Sequence, residues 1–159
     1  MALDLGTFIG VCVGNEKRVK SHFEYNLETE CYSCEDPKKK KINKIRRQKL
    51  CHLNKVFPIW LDKYKPDVVV MERPFTRGLG STRSLWGTAG VIESLVPIEV
   101  EMFDVVPLSI KKHFTGSGKS SKEEMIETAK KILKKKELGE HEADAVALWH
   151  FTKENLINQ

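Results

Sequence analysis

The segment Asp67-Val-Val-Val-Met-Glu72-Arg-Pro-Phe75 decides the fold. Its apolar run, followed by Glu72 and then Pro74, is typical of a strand that is covered on both faces and cannot continue past the proline. In open α/β sheets the carboxyl ends of the strands face the crevice where ligands bind. Glu72 is therefore a candidate functional carboxylate, although a strand can also end on a solvated glutamate.

The size and composition of the chain are those of one folded domain. Its 159 residues are 40% hydrophobic, so we expect a single domain over residues 1–159 with a core of its own. No apolar run approaches the length of a membrane span and no secretory signal opens the sequence, so we expect a cytoplasmic protein without a membrane partner. The net charge of +5 favours a polyanionic partner.

Four cysteines raise the question of a zinc site. Without a secretory signal, a disulfide framework is not expected. Cys31 and Cys34 have the spacing of a zinc knuckle, and Cys51-His52 could supply two more ligands, but a second paired motif at zinc spacing is missing. A structural zinc therefore stays open, and free thiols are the favoured interpretation.

The amino-terminal segment predicts a β-hairpin that contains one buried carboxylate. Residues 2–13 are apolar, Gly14-Asn15 marks a tight turn, and residues 18–25 supply the returning strand, so antiparallel strands begin the sheet. Asp4 is the single charged residue of the first strand. Because an unpaired buried carboxylate is costly, we expect a metal or a cationic group beside it.

A strongly basic helix is predicted after a polar segment. Residues 38–55 contain nine Lys and Arg residues and no acidic residue, while apolar residues recur at helical spacing to form one stripe. The basic run at 38–49 is either a solvated face or a phosphate-binding surface, and both alternatives stay open. Pro58 is expected to break or bend this helix before Lys63.

The second half of the chain alternates helices with one further strand. The patterns predict a helix at 80–95, a half-exposed strand at or near the sheet edge at 98–103, a short helix at 107–114, and a helix from the glycine loop at 115–121 to about residue 136. Both Ser120 and Ser121 fit a capping box at the start of that last helix.

The glycine loop resembles part of a P-loop, but the full spacing fails. Gly118-Lys119 would need a further glycine at position 113, which is His113. Lys119 and Lys122, at the start of a helix, instead predict a phosphate site for a nucleic-acid strand.

The last helix adds two candidate ligands. His141 and Asp144 are three residues apart and share one helical face, while Glu142 points about 100° away from His141. With Asp4 and Glu72 they would form a group of four ligands from separate elements. Such oxygen-rich ligation suits Mg²⁺ or Mn²⁺, and a pair of these ions is suited to phosphodiester hydrolysis.

The order of these motifs resembles the RuvC-type Holliday-junction resolvases. The motifs, which span nearly the whole chain, are Leu3-Asp4-Leu-Gly6-Thr, Val70-Met-Glu72-Arg-Pro-Phe75, Lys111 before Thr115-Gly116-Ser-Gly118 and Lys122, and His141-Glu-Ala-Asp144-Ala-Val-Ala147. The resemblance implies an α/β fold of the ribonuclease H-like type, whose mixed five-stranded sheet has three antiparallel and then two parallel strands flanked by helices. It also implies a homodimer, joined through the helix at 80–95, that nicks two opposing strands of a four-way DNA junction with Mg²⁺.

The resemblance also implies roles for individual residues. The catalytic metal ligands would be Asp4, Glu72, His141 and Asp144, which would hold Mg²⁺ or Mn²⁺, a pair of ions in each site; some family members have Asp where His141 stands. Lys122 would be a further catalytic residue. The nucleic-acid contacts would be Phe75, which stacks near the junction centre, together with Arg73, Lys111, Lys112, Lys119 and Lys122. Glu142 is a neighbouring carboxylate that could compete as a ligand.

Other functions fit the same residues. A relative with this fold that cuts flaps, other branched DNA or RNA would have an identical active site. A binding module without catalysis could use the basic helix and Phe75 to hold branched or single-stranded nucleic acid. The Leu3-Asp4-Leu-Gly6-Thr motif also resembles the first phosphate loop of actin-like and Hsp70-like ATPases, but the chain is too short for their two-domain architecture.

Overall fold

The computed structural model describes residues 1–28, 42–74 and 79–157, with side chains except at 42–44, 79–81 and 156–157. Five strands form one mixed sheet in the order β3-β2-β1-β4-β5. The strands are β1 (Ala2–Asp4), β2 (Phe8–Gly14), β3 (Val19–Asn26), β4 (Val68–Glu72) and β5 (Glu101–Val105). Strands β1, β2 and β3 pair antiparallel, whereas β4 pairs parallel with both β1 and β5. The predicted ribonuclease H-like sheet is therefore confirmed.

Helices cover both faces of this sheet. They are α1 (Ile42–Tyr64), α2 (Leu79–Leu95), α3 (Pro107–Thr115), α4 (Lys122–Leu133) and α5 (Glu140–Thr152), and a π-helical turn, Lys153–Ile157, follows α5. One core lies between the sheet and helices α1 and α2, and a second lies between the sheet and helices α3, α4 and α5. No helix in the described part of the chain is long and apolar enough to cross a membrane.

Strand β4 is buried on both faces, as its apolar run predicts. Val69 and Met71 belong to the core beneath α1 and α2, and Val70 belongs to the core beneath α5. Because consecutive side chains of a strand point to opposite faces, a strand between two helical layers needs apolar residues at every position. The run ends at Glu72, where the chain leaves the sheet.

Helix α1 does not end at Pro58, so the expected break is wrong, and a bend at the proline stays a prediction. The helix continues to Tyr64. Leu53, Phe57 and Trp60 are buried on the core side of α1, while Pro58 is exposed on the opposite side. Burial of this apolar stripe stabilises the helix on both sides of the proline, and water can hydrate the carbonyl group that loses its partner. Residues 38–41 of the basic run lie outside the described residues.

Two element boundaries differ from those predicted. Strand β5 begins at Glu101 rather than at residue 98, because its parallel register with β4 pairs Val68 with Glu101; β5 is an edge strand, as expected. Helix α4 ends at Leu133 rather than near residue 136, and Lys134 follows it in the left-handed conformation. Its cap is Ser121, which forms the full capping box with Glu124.

Helix α5 lies directly on β1 and β2, and two glycines of β2 allow this close approach. A Cβ atom added to Gly10 would lie 1.8 Å from the carbonyl oxygen of His141, and one added to Gly14 would lie 2.6 Å from the Trp149 ring. Alanine residues 143, 145 and 147 of α5 are also completely buried. Small residues on both sides therefore set the distance between the last helix and the sheet.

We expect Gly10→Ala to lower the free energy of unfolding by about 1–3 kcal/mol, because the added methyl group overlaps the α5 backbone. Gly118→Ala is the matched control, since an added Cβ at Gly118, in the turn before α4, would meet its nearest neighbour, Leu108, at an ordinary contact distance of 3.5 Å. The control should be neutral or more stable by up to about 1 kcal/mol. Urea denaturation measures both values, and equal stabilities of the two variants would contradict the packing argument.

Candidate active site

Two carboxylates lie side by side where two parallel strands end. Asp4 ends β1 and Glu72 ends β4. The strands pair in parallel with Leu3 opposite Met71, so the next residue on each strand is one of the two acids. The Asp4 side chain is 14% exposed. The carboxyl-terminal edge of the sheet thus carries two neighbouring acids, of which Asp4 is largely buried and Glu72 is half-buried.

Helix α5 brings His141 to this edge. Its Nδ1 atom lies 2.7 Å from Oδ2 of Asp4, a contact between residues 137 positions apart in the sequence. The ring also stacks on Phe8, with ring centroids 5.8 Å apart and planes inclined by 6°. The hydrogen bond to Asp4 raises the pKa of His141 above its usual value. The imidazole is therefore held in place by both a carboxylate and an aromatic ring.

Asp144 lies one helical turn further along α5 and interacts with the strand acids. Burial, followed by the charge of Asp4, raises the pKa of Asp144 to about 6. Burial and the charges of Asp4 and Asp144 raise the pKa of Glu72 to about 8. Burial is also the main cause of the raised pKa of Asp4. The acids of β1, β4 and α5 therefore form one electrostatically coupled group.

Lys111 of α3 is a basic side chain that interacts electrostatically with this group of acids. Its charge lowers the pKa values of both Glu72 and Asp144, against the larger effect of burial. The ammonium group also donates a hydrogen bond to the carbonyl oxygen of Ser120 at 3.4 Å. Lys111 thus offsets only part of the negative charge, and the acids would be further stabilised by a cation.

The oxygen and nitrogen ligand atoms of these four residues suit a hard divalent cation. The side chains are not, however, arranged as in a formed metal site. Within residues 1–28, 42–74 and 79–157, no three His, Cys, Asp or Glu side chains are grouped so that they could hold a metal ion. The hydrogen bond between Asp4 and His141 occupies one potential ligand atom of each residue. Carboxylate oxygens are the ligands that Mg²⁺ prefers, and like-charged acids that raise one another's pKa values favour a bound cation.

The other predicted basic residues have acidic partners or are solvated. Lys122, the first residue of α4, forms an ion pair with Glu140, the first residue of α5, and this bond raises the pKa of Lys122. Arg73 pairs with Asp104 on β5. Lys112 and Lys119 are exposed. Phe75 lies outside the described residues.

The basic helix contributes one lysine that points toward the protein. Lys49 lies 2.6 Å from the Glu28 carboxylate and donates a hydrogen bond to the Thr7 hydroxyl at 3.0 Å. Of the proposed zinc ligands, His52 is hydrogen-bonded to the Tyr25 hydroxyl at 2.7 Å, and Cys51 is exposed with a free thiol. Cys31 and Cys34 lie outside the described residues.

Sequence reasoning missed the residues that hold the start of α5. Oε1 of Glu24, on β3, accepts hydrogen bonds from the backbone N–H groups of His141 at 2.8 Å and Glu142 at 3.2 Å. The cap residue Gly139 has no side chain, and a Cβ there would lie 2.1 Å from Glu24. Glu24 therefore takes the place of a local cap.

Glu142 has a structural partner rather than a place among the ligands. Its carboxylate lies 2.7 Å from Nδ1 of His22 on β3 and also accepts a hydrogen bond from the Gly139 N–H at 3.2 Å. Because alternate side chains of a strand point to the same face, His22 and Glu24 lie on one face of β3. This spacing is the sequence signal that could have suggested that both residues contact the same helix. Both residues attach the first turn of α5 to the sheet.

The sheet order, with acids at the ends of β1 and β4 and on the last helix, places the protein in the ribonuclease H-like class. Within that class the chain belongs to the RuvC family: the family model described as crossover junction endodeoxyribonuclease RuvC matches residues 36–150.

Similar curated proteins have the same family name. The crossover junction endodeoxyribonuclease RuvC of Corynebacterium diphtheriae is 35% identical over 92 residues, which cover 54% of this chain and 54% of that protein. The corresponding protein of Pseudothermotoga lettingae is 33% identical over 92 residues, which cover 55% of this chain and 57% of that protein. The chain thus spans about half the length of these curated relatives.

Solved structures of low sequence identity share the fold. A Thermus thermophilus RuvC structure superposes with a TM-score of 0.64 at 19% identity, covering 92% of this chain and 87% of that chain. The structure of T. thermophilus RuvC in complex with Holliday junction substrate gives a TM-score of 0.69 at 16% identity, covering 96% of this chain and 93% of that chain.

We expect Glu72→Gln to stabilise the metal-free protein at pH 8 by about 1–3 kcal/mol. The folded protein raises the pKa of Glu72 to about 8 from its ordinary value of about 4.5, so between these values it retains a proton that the unfolded chain releases. The contribution of Glu72 to stability therefore falls as the pH rises from about 4.5 to 8. Thermal unfolding in EDTA at a series of pH values measures this slope.

Glu99→Gln, at an exposed turn, is the matched control and should retain the native pH slope. Added Mg²⁺ should raise the melting temperature of the native protein at pH 8 more than that of Glu72→Gln. Identical pH slopes for the native protein and Glu72→Gln would contradict the electrostatic coupling described above.

Proposed function

We propose that this chain is a Mg²⁺-dependent, structure-selective endodeoxyribonuclease that resolves four-way DNA junctions by paired symmetric nicks. The observation that carries the proposal is the coupled group of Asp4, Glu72, His141 and Asp144 at the carboxyl-terminal edge of the sheet, next to Lys111. Membership of the RuvC family supports the choice of substrate. In this proposal residues 1–159 form one nuclease domain.

The proposed cofactor follows from the donor set. RuvC-family nucleases are metal-dependent in general. We infer that Asp4, Glu72, His141 and Asp144 hold a pair of Mg²⁺ or Mn²⁺ ions. When bound, such ions activate a water molecule and stabilise the leaving oxygen of the phosphodiester.

The chain's own residues prepare the site for that chemistry. His141 is hydrogen-bonded to Asp4 through Nδ1, and its other nitrogen, Nε2, must be free of a proton before the imidazole can act as a ligand, so metal affinity should fall at low pH. The stacked Phe8 ring keeps the imidazole oriented while this happens. Lys111 keeps a positive charge beside Glu72 and Asp144, where a phosphate would enter.

The remaining basic residues would bind the DNA backbone. Lys122 exchanges its partner Glu140 for a phosphate beside the cleavage point, and Arg73 can do the same with Asp104. Lys112 and Lys119 are exposed and would contact phosphates further along the strand without reading bases. By family resemblance, Phe75 would stack near the junction centre.

Two nicks in opposing strands need two active sites, so the proposal includes a homodimer. Helix α2 is the proposed contact, because Trp86 is 51% exposed on it and an added Cβ at Gly90, one turn further along, would meet nothing within 4 Å.

The test of the proposed function is cleavage of a labelled synthetic four-way junction with Mg²⁺, beside duplex, flap and RNA–DNA hybrid substrates. We expect paired symmetric nicks in the junction alone, and we expect Asp4→Asn to abolish them while junction binding persists. Equal cutting of flaps or hybrids would indicate a broader ribonuclease H-like nuclease. Tight binding without cutting by the native chain would indicate a binding module.

Lys122→Ala should lower the cleavage rate about 10²-fold to 10³-fold and change the junction Kd by less than about threefold, because its charge acts mainly in the transition state. Lys135→Ala, which removes an equal charge from an exposed site beyond the far end of α4, should leave the rate near the native value. Single-turnover cleavage and gel-shift titration measure the two quantities. An equal loss of rate and binding in Lys122→Ala would contradict its position beside the scissile phosphate.

A further inference from the structure

A cleft of about 580 Å³ lies at the end of the sheet opposite the candidate active site. Its lining includes Met1 and Val68, at the amino ends of β1 and β4, whereas the candidate acids stand at the carboxyl ends of these strands. The β2–β3 turn, the loop after α1 and the end of α5 form its walls. The cleft therefore shares no residue with the proposed catalytic group.

Five lysine residues line this cleft. They are Lys17, Lys20, Lys63, Lys65 and Lys153. None of the five forms an ion pair with any described residue, in contrast to Lys122 and Arg73 at the active site. Glu16 and Asp67 also line the cleft, so five lysines and two carboxylates leave an excess of three positive charges. Because a concave, low-dielectric wall concentrates the field of like charges, this arrangement favours a bound anion.

The wall of the cleft also contains two aromatic residues that face these lysines. Nζ of Lys63 lies 4.9 Å from the ring centre of Tyr64, and Nζ of Lys153 lies 5.7 Å from the ring centre of Trp149. Gly14 is packed so closely against the indole that an added Cβ would lie 2.6 Å from Nε1.

The indole N–H of Trp149 completes the set of donors. Trp149 is 7% exposed, and its N–H, which solvent reaches, has no acceptor among the described residues. Ammonium groups and an indole N–H can donate hydrogen bonds but cannot accept them in these forms. The cleft therefore presents several unused donors, and a ligand that matches it must be rich in acceptors and negatively charged.

We propose that this cleft binds the phosphate backbone of a single-stranded nucleic-acid segment, at a site separate from the active site. Phosphodiester oxygens supply the charge and the acceptors that the lysines and the indole lack. A volume of about 580 Å³ equals a cube with edges of about 8 Å, which can receive the backbone of one strand but is too small to enclose a paired duplex. A basic groove with aromatic residues is the combination that binds single strands without sequence preference.

This site does not depend on the proposed nuclease activity. A strand bound in the cleft would lie at one end of the sheet, and the phosphate that is cleaved would lie at the other. Binding in the cleft should therefore persist when cleavage is abolished. The unpaired lysines would contribute affinity that falls with salt, because each phosphate contact releases counterions.

The test compares two triple variants that lose the same charge. Lys17→Gln/Lys20→Gln/Lys63→Gln removes three exposed lysines of the cleft, and Lys131→Gln/Lys135→Gln/Lys136→Gln removes three exposed, unpaired lysines at and beyond the end of α4. Binding of a fluorescein-labelled oligothymidylate is measured in EDTA by fluorescence polarisation at several salt concentrations. Hydrogen exchange of the backbone amides, with and without the oligonucleotide, locates the contact.

We expect the oligonucleotide to protect residues 14–20 and 63–67 in the native protein and in the α4 variant, but not in the cleft variant. The slope of log affinity against log salt should become shallower by about 2 in the cleft variant, since single strands give about 0.7 per contact. The α4 variant should keep the native slope. Asp4→Asn should give the native result here whether or not the chain proves to be a nuclease.

Three outcomes would overturn the proposal. Protection confined to the active-site edge would show that the strand binds only there. Equal losses in both triple variants would show that net charge alone is responsible. Full protection of 14–20 and 63–67 by inorganic pyrophosphate, with none by the oligonucleotide, would assign the cleft to a small phosphate compound rather than to a strand.

Discussion

The contact between α5 and β2 at Gly10 is the packing constraint on which the candidate active site depends. Gly10 pairs with Asp4 across the β1–β2 ladder, and the backbone of His141 rests directly on it. This places the His141 imidazole within hydrogen-bonding distance of the Asp4 carboxylate. One turn further along, Asp144 reaches the same group of acids. A side chain at position 10 would separate the helix from the strand that carries its partner.

The start of α5 is held by charge as well as by packing. Glu24 on β3 takes the place of a capping side chain, and Glu142 connects the helix to His22 on the same strand. A carboxylate at a helix amino terminus interacts favourably with the helix dipole as well as with the free N–H groups. Three strands, β1, β2 and β3, therefore cooperate to position His141 and Asp144 on α5.

The price of this arrangement is a set of acids that repel one another. Burial and mutual repulsion raise the pKa values of Glu72 and Asp144 to about 8 and about 6, and Lys111 offsets only part of this effect. Groups whose ionisation is disfavoured in this way are typical of functional sites, where binding of a cation recovers the lost stability. At the edge of the site, Lys122 and Arg73 already hold carboxylates that occupy the position of an anion. Under the proposed function, DNA phosphates would replace these acidic partners.

The sequence by itself determined the features that depend on a few neighbouring residues. The apolar run before Glu72 predicted a strand buried on both faces, the capping-box patterns at Ser120 and Ser121 predicted the start of α4, and the spacing of His141 and Asp144 predicted a shared helical face. Only the tertiary structure decided that α1 continues past Pro58, that Glu24 caps α5 and that Lys122 pairs with Glu140. Turn chemistry and periodicity act over a few residues, whereas these contacts join separate elements whose distance is set by side-chain packing across the sheet.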